Sequence, residues 1–181
     1  IIYSLIERKD IDLLASSKGL NRLITKSGYK YIDLDITRNE EVKKVFENEN
    51  PDAVINCAAM TNVDYCEENQ DSCWEINVKA VENLAKSCEA LKSHLLHLST
   101  DFVFDGKSGP YTENDKPNPL HFYAKSKLKS EEIVKKIMTK WSIARTIIIY
   151  GITDNMSRSN IVIWAKKEIE NGNTINVVKD Q

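Results

Sequence analysis

Tyr123 and Lys127 stand four residues apart in Tyr123-Ala-Lys-Ser-Lys127, downstream of Ser99-Thr100-Asp101. On a helix, residues at that spacing share a face, so a phenol and an ammonium would enter one cleft. Together they suit proton donation. Free tyrosine titrates near pH ~10, and a cation ~4 Å away at an effective dielectric of ~20 favours the phenolate by roughly 4 kcal/mol, about three pH units. The expectation is therefore a Tyr123 phenol tuned by Lys127 to work near neutrality. With 7 tyrosines and abundant lysine in the chain, this spacing alone is close to chance. Context carries the reading: an apolar strand ending in the hydroxyls of Ser99 and Thr100, a loop with Pro110, Pro117 and Pro119, then the tyrosine opening a helix. The plainer alternative is that Ser99 and Thr100 merely end a strand and Tyr123 packs in a helix.

These residues need a scaffold, and the hydrophobic pattern supplies one. Ile1 to Ile6 reads as the back end of an amphipathic helix. Ile11 to Ser17 is a short strand, ended by the turn Lys18-Gly19-Leu20-Asn21-Arg22, and Tyr29 to Ile36 alternates as a second strand. Thr37-Arg38-Asn39-Glu40 matches a capping box with Thr37 as N-cap; the helix it opens turns Val42, Val45 and Phe46 inward and stops at Asn50-Pro51. Ala53 to Ala59 is continuously apolar, as in a strand covered on both faces of a parallel sheet. A long helix is expected over Cys73 to Leu91, with Asn77, Val81, Leu84, Ala85 and Cys88 recurring at three and four. Leu95 to Ser99 is the next strand. The Tyr123 helix runs to about Ile137, with Leu128, Ile133, Val134 and Ile137 inward and its Lys and Glu residues on a solvated face. Ala144 to Ile149 reads as another buried strand, Ile161 to Glu170 as a helix ending at Asn171-Gly172, and Ile175 to Val178 as a last strand.

Strands alternating with helices predict an α/β fold, a doubly wound parallel sheet, in one domain over residues 1–181. Ligands of such sheets bind at the carboxyl ends of the strands. Ser16-Ser17-Lys18, Asp35-Ile36, Cys57-Ala58-Ala59-Met60-Thr61 and Ser99-Thr100-Asp101 each end a strand, so one crevice could gather them. At 181 residues, 41% hydrophobic and 29% charged, the composition is that of a globular protein. A net charge of −2 and a pI near 6.0 give no basic footprint for nucleic acid. No apolar run reaches the ~18 to 20 residues a membrane helix requires. Cys57, Cys66, Cys73 and Cys88 lack Cys-x-x-Cys spacing, which predicts reduced thiols in a cytoplasmic protein. His94 and His97 lie three apart on a strand, on opposite faces, and predict no metal site.

Several segments resemble an extended short-chain dehydrogenase/reductase, and within it the RmlD-like dTDP-4-dehydrorhamnose reductase branch. They are Asp33-Leu-Asp-Ile-Thr37, Pro51-Asp-Ala-Val-Ile-Asn-Cys-Ala-Ala-Met-Thr-Asn-Val-Asp64, Ser99-Thr-Asp-Phe-Val-Phe-Asp-Gly106, and Pro117-Asn-Pro-Leu-His-Phe-Tyr123 with Lys127. The resemblance covers essentially the whole chain. It implies a Rossmann-like nucleotide-binding fold in which Thr100, Tyr123 and Lys127 are catalytic and Asp101 lies near the sugar. Asp35 and Ile36 would meet the adenine, Ala58, Ala59 and Met60 the cofactor ribose and phosphates, and Leu98 the nicotinamide. Lys127 would also hold the nicotinamide ribose. The implied reaction reduces a nucleotide-linked 4-keto-sugar, with dTDP-4-dehydro-L-rhamnose as leading substrate, and needs no metal.

An NAD enzyme places an acidic side chain where the ribose 2′-hydroxyl binds, whereas a 2′-phosphate asks for cations. Ser16, Ser17 and Lys18 stand there with Arg22 close behind, so NADP(H) is favoured over NAD(H), although Lys18 and Arg22 could be ordinary turn charges. The six glycines form no Gly-x-x-Gly-x-x-Gly. The glycine-rich loop with its first strand is expected upstream of Ile1, and the substrate domain downstream of Gln181. Where the rhamnose enzymes commonly carry Arg-Thr-Ser-Trp-Val-Tyr, this chain has Arg145-Thr-Ile-Ile-Ile-Tyr150, and Ile148 lacks the sugar-stacking surface of tryptophan. Two alternatives fit the same residues: another nucleotide-sugar reductase or epimerase, and a non-catalytic NADP-binding regulatory subunit like the methionine adenosyltransferase beta subunit. A homodimer is compatible with the resemblance.

Overall fold

The computed structural model describes residues 1–147, 149 and 160–177. In chain order the elements are α1 (Ile2–Ile6), β1 (Leu14–Ser17), β2 (Lys30–Asp33), α2 (Asn39–Glu49), β3 (Ala53–Asn56), α3 (Val63–Glu68), α4 (Gln70–Trp74), a π-helical segment (Glu75–Lys79), α5 (Ala80–Leu91), β4 (His94–Thr100), a 3-10 turn (Asp101–Val103), α6 (Phe122–Ile137), β5 (Trp141–Thr146) and α7 (Ile161–Glu170). The described residues divide between two compact units, one of residues 1–15, 21–31, 147, 149 and 160–177, the other of residues 16–20 and 32–146. The second unit carries the residues that could do chemistry.

Within it, β3, β4 and β5 form a parallel sheet in that order, with Ala53 opposite His94 and Leu95 opposite Trp141. Parallel neighbours require a crossover: α3 to α5 lead from β3 to β4, and α6 leads from β4 to β5. The result is a Rossmann-like βαβαβ arrangement of the α/β class. The core gathers Val42 and Phe46 of α2, Val81, Leu84, Ala85 and Cys88 of α5, Leu95 of β4, and Val134 and Met138 at the end of α6. β1 and β2 pair in a separate two-stranded sheet.

Several elements depart from the sequence expectation. Thr37 caps nothing: its hydroxyl and its N–H both go to Asp35 Oδ1, at 2.7 and 3.1 Å, and α2 starts behind Arg38 with no side-chain cap. The local carboxylate competes successfully for the hydroxyl. β3 is not covered on both faces, since Ala53 and Ile55, which share one face of the strand, are exposed, Ile55 by 40%. The expected long helix over Cys73 to Leu91 contains a π-helical turn at Glu75–Lys79. β5 begins at Trp141, three residues before the expected strand, because pairing with β4 starts at Leu95; Ile147 and Ile149 beyond it are exposed. Ile175 to Val177 form no strand, and Val178 lies outside the described residues. α7 keeps its expected bounds, with Asn160 as N-cap accepting from the Ile163 N–H at 3.1 Å and Gly172 at φ 71 beyond its end.

Candidate active site

α6 presents Tyr123, Ser126, Lys127, Ser130, Glu131 and Val134 to the interior, all buried. These positions repeat at three and four, so they form one face. The helix start is held twice: His121 Nδ1 accepts from the Ala124 N–H at 3.3 Å, and Glu67 accepts from the Phe122 N–H at 3.2 Å. Tyr123 packs against Cys66 and Cys73, with Met60, Val63 and Phe122 around them. Its ring stacks on His121 and meets the edge of Phe102. Thr100 ends β4 and caps the following turn: its hydroxyl oxygen accepts from the Phe102 N–H at 3.2 Å and donates to Asp101 Oδ1 at 3.1 Å.

The electrostatics correct one expectation. Burial pushes the Tyr123 phenol above its ordinary value, and the neighbouring Thr100 hydroxyl counteracts part of that push. Lys127 does not hold the phenol near neutrality, because its ammonium is directed elsewhere. It is 2% exposed, and its Nζ donates to the Leu98 carbonyl at 2.7 Å and lies 3.3 Å from His97 Nε2. Burial brings this amine down to about 8, with Glu131 working in the opposite direction. The phenol therefore remains a protonated donor, and the lysine is the group that titrates nearer neutrality.

Residues the sequence reading left without a role tie the site together. Asn77, in the π-helical turn, accepts from the Met60 N–H at 2.8 Å and donates to the Met60 carbonyl at 3.0 Å, clamping the loop beyond β3. The same amide reaches Ser126 Oγ at 3.0 Å, and Ser126 donates to the Tyr123 carbonyl at 2.7 Å. An asparagine on an otherwise apolar helical stripe was the available signal. His97 is buried, against Asn56 on β3 and Ser130 on α6. Glu131 is fully buried although the sequence pattern put the Glu residues of this helix on the solvated face. It accepts from Ser99 Oγ at 2.6 Å and from Arg145 Nε and Nη2 at 2.9 and 2.7 Å. Burial works to raise Glu131, and the hydrogen bonds from Arg145 and Ser99 outweigh it and hold the carboxyl below its ordinary value. The Arg145 guanidinium also lies over the Phe104 ring. Beyond Thr100, Asp105 ties the loop by accepting from Tyr111 Oη, Asn118 Nδ2 and the Lys107 N–H.

The remaining expected residues fall as follows. Leu98 contributes its carbonyl to Lys127. Ala58 and Ala59 follow β3, Ala58 exposed and donating its N–H to Asn56 Oδ1 at 3.1 Å, and Met60 is the residue Asn77 clamps. Ser16 and Ser17 are exposed on β1, and the Ser17 carbonyl accepts from the Leu34 N–H. Lys18 forms an ion pair with Asp35 at 2.7 Å, which draws Asp35 down to about 2 together with the Thr37 hydroxyl. Ile36 is half-buried and packs against the core. Arg22 belongs to the other unit. Ile148 lies outside the described residues. All four cysteines are free. Among the described residues no His, Cys, Asp and Glu cluster could hold a metal, and no helix is long and apolar enough to cross a membrane.

Residues 2–181 match the family model described as the RmlD substrate binding domain. A dTDP-4-dehydrorhamnose reductase of Aggregatibacter actinomycetemcomitans is 37% identical over 83% of this chain and 50% of its own length. The methionine adenosyltransferase 2 subunit beta of Rattus norvegicus is 32% identical over 76% of this chain and 41% of its own. A crystal structure of dTDP-4-dehydrorhamnose reductase from Bacillus anthracis str. Ames in complex with NADP superposes with a TM-score of 0.72 at 32% identity, over 79% of this chain and 51% of that one. The chain thus spans about half the length of these relatives or less. With a parallel Rossmann-like sheet, a strand-end Thr100 beside Tyr123 and Lys127 on one buried helix face, and a family model matched over nearly its whole length, the chain belongs to the RmlD substrate binding domain family.

Proposed function

We propose that the protein reduces a nucleotide-linked 4-keto-sugar at the expense of NADPH, with dTDP-4-dehydro-L-rhamnose giving dTDP-L-rhamnose as the leading reaction. The observation that carries the proposal is the buried Tyr123 at the carboxyl end of β4, beside Thr100, with Lys127 one turn along the same helix face. The residues present fit a nicotinamide cofactor: Ala58 and Ala59 leave the backbone beyond β3 open to close approach, Ser16 and Ser17 offer hydroxyls, and Lys18, on exchanging Asp35 for the ligand, offers a cation to a 2′-phosphate. Bound there, the cofactor supplies a hydride to the ketone carbon. Tyr123 donates its phenolic proton to the carbonyl oxygen as negative charge develops on it, and the Thr100 hydroxyl helps hold that oxygen. Hydride plus proton completes the alcohol. Asp101 faces the sugar, and Lys127 holds the ribose beside the Leu98 carbonyl. The NADP complex of the Bacillus anthracis reductase supports NADP(H) over NAD(H). We place the protein in the cytoplasm and leave room for a homodimer.

The test is NADPH oxidation by the full-length protein with dTDP-4-dehydrorhamnose, beside its Tyr123→Phe variant. Loss of one proton donor is expected to lower turnover by about 10²- to 10⁴-fold. A variant with undiminished turnover would remove Tyr123 from the mechanism, and a parent that oxidises no NADPH would overturn the substrate assignment and turn attention to other nucleotide keto-sugars. A second reading draws on the 32% identity to the methionine adenosyltransferase subunit: a cofactor-binding regulatory subunit, shown by co-purification with a methionine adenosyltransferase and by no turnover on any keto-sugar.

A further inference from the structure

Asn56, His97 and Ser130 are buried around Lys127 and have no part in the chemistry proposed above. Their hydrogen bonds decide where the His97 proton sits. Asn56 Oδ1 accepts from the Ala58 N–H at 3.1 Å, so it is the amide nitrogen that faces His97 Nδ1, at 3.2 Å. An amide nitrogen only donates, so Nδ1 accepts and the ring proton is on Nε2. The other side of the ring agrees independently. Ser130 Oγ spends its single proton on the Lys127 carbonyl at 2.7 Å, so it must accept from His97 Nε2–H across 2.9 Å. The Lys127 Nζ, 3.3 Å from Nε2, therefore faces an N–H and not a lone pair. Its own acceptor is the Leu98 carbonyl.

We propose that His97 is a positioning residue for Lys127: locked with its proton on Nε2 by Asn56 and Ser130, it directs the lysine onto the Leu98 carbonyl and disfavours the ammonium form. The consequence for turnover rests on the ketoreductase reading. The placement of the His97 proton does not. Glu131 from its own helix, Cys73 from α4 and Cys57 beyond β3 favour the charged amine, against burial. On His97, burial and then Lys127 disfavour protonation, which takes the ring down to about 3, with Glu131 opposing. An imidazolium is thereby kept out of the site, and the neutral ring presents the same edge to Lys127 across the working pH range.

Asn56→Asp tests this without removing the ring. Aspartate keeps an oxygen for the Ala58 N–H but replaces the donor facing Nδ1 by an acceptor. The His97 proton should move to Nδ1, freeing Nε2 to accept from Lys127. In the full-length protein, long-range proton–nitrogen spectra of labelled histidine are expected to show neutral His97 with its proton on Nε2 and no titration between pH 5 and 9 in the parent. In the variant the proton should be on Nδ1. The Lys127 ζ-nitrogen, assigned by its loss in Lys127→Met, should titrate about one pH unit higher in the variant than in Asn56→Asp combined with His97→Phe, which carries the same new carboxylate without the ring, and the alkaline limb of keto-sugar reduction should move up with it. A parent ring protonated on Nδ1, or titrating in that range, would overturn the proposal whether or not the variant folds. So would a reversed tautomer with a Lys127 midpoint no higher than in the double variant. Absence of turnover on every keto-sugar would defeat the functional reading alone, because both spectroscopic readouts remain.

Discussion

Replacing Glu131 by glutamine removes one charge from a fully buried carboxylate that accepts three hydrogen bonds, two from Arg145 and one from Ser99. Arg145 is only 16% exposed, so its guanidinium would be left buried beside a neutral amide. Breaking a buried pair in this way costs about 3–5 kcal/mol, a large part of the ~5–15 kcal/mol that holds a domain folded. At roughly 2–4 °C per kcal/mol for a chain of this size, the melting midpoint of the full-length protein should fall by about 10 °C. The dependence on pH follows from the sign of the shift. Glu131 has its folded value below its unfolded one, so its stabilisation is complete above the unfolded value, ~4.3, and is lost as pH falls through the folded value. The gap between parent and variant should be constant from pH 6 to 8 and close in acid. Glu131 sits one turn beyond Lys127 and holds Ser99, the neighbour of Thr100, so activity should fall in parallel. Urea unfolding at pH 7 and pH 3 reads the effect. A loss below about 1 kcal/mol at pH 7 would refute the reasoning. The double replacement Glu131→Leu, Arg145→Leu should recover much of the loss, because an apolar pair carries no desolvation penalty.

Two further outcomes are expected from the same geometry. Lys18→Ala should weaken NADPH binding about tenfold, or ~1.4 kcal/mol, while leaving NADH unchanged by fluorescence titration; equal effects on both cofactors would remove Lys18 from 2′-phosphate recognition. Stability should barely change, since the Lys18 side chain is 79% exposed and such ion pairs contribute little. Asn77→Leu leaves the Met60 N–H without its side-chain partner, at about 1–3 kcal/mol, and the Met60 carbonyl with only the Cys66 thiol. A lower melting midpoint together with a raised KM for NADPH is expected, and an unchanged KM would show that the clamp on Met60 does not shape the cofactor loop.

The alternation of strands and helices, the helix bounds of α6 and α7, and the placement of Thr100 and Tyr123 at one end of the sheet were all legible in the residues, because each rests on local rules. Asn171 and Gly172 mark the end of α7, and i to i+4 geometry puts Tyr123 and Lys127 on one side. What the chain alone left open was which charged groups that face would bury and what they would meet there. Glu131 continues the Tyr123–Lys127 face by one more turn, yet a glutamate is stable inside only where a partner exists. Its partners, Arg145 and Ser99, come from strands β5 and β4, across the sheet register. The electrostatic role assigned to Lys127 depended in the same way on a neighbour in space. Spacing could place the ammonium near the phenol, but only packing against β4 supplied the Leu98 carbonyl and the His97 ring that claim it. Local sequence therefore determined the elements and which side chains enter the site; the protonation states and partners of those side chains were decided by tertiary structure, because burial and hydrogen bonding across elements set the free energy of each charge.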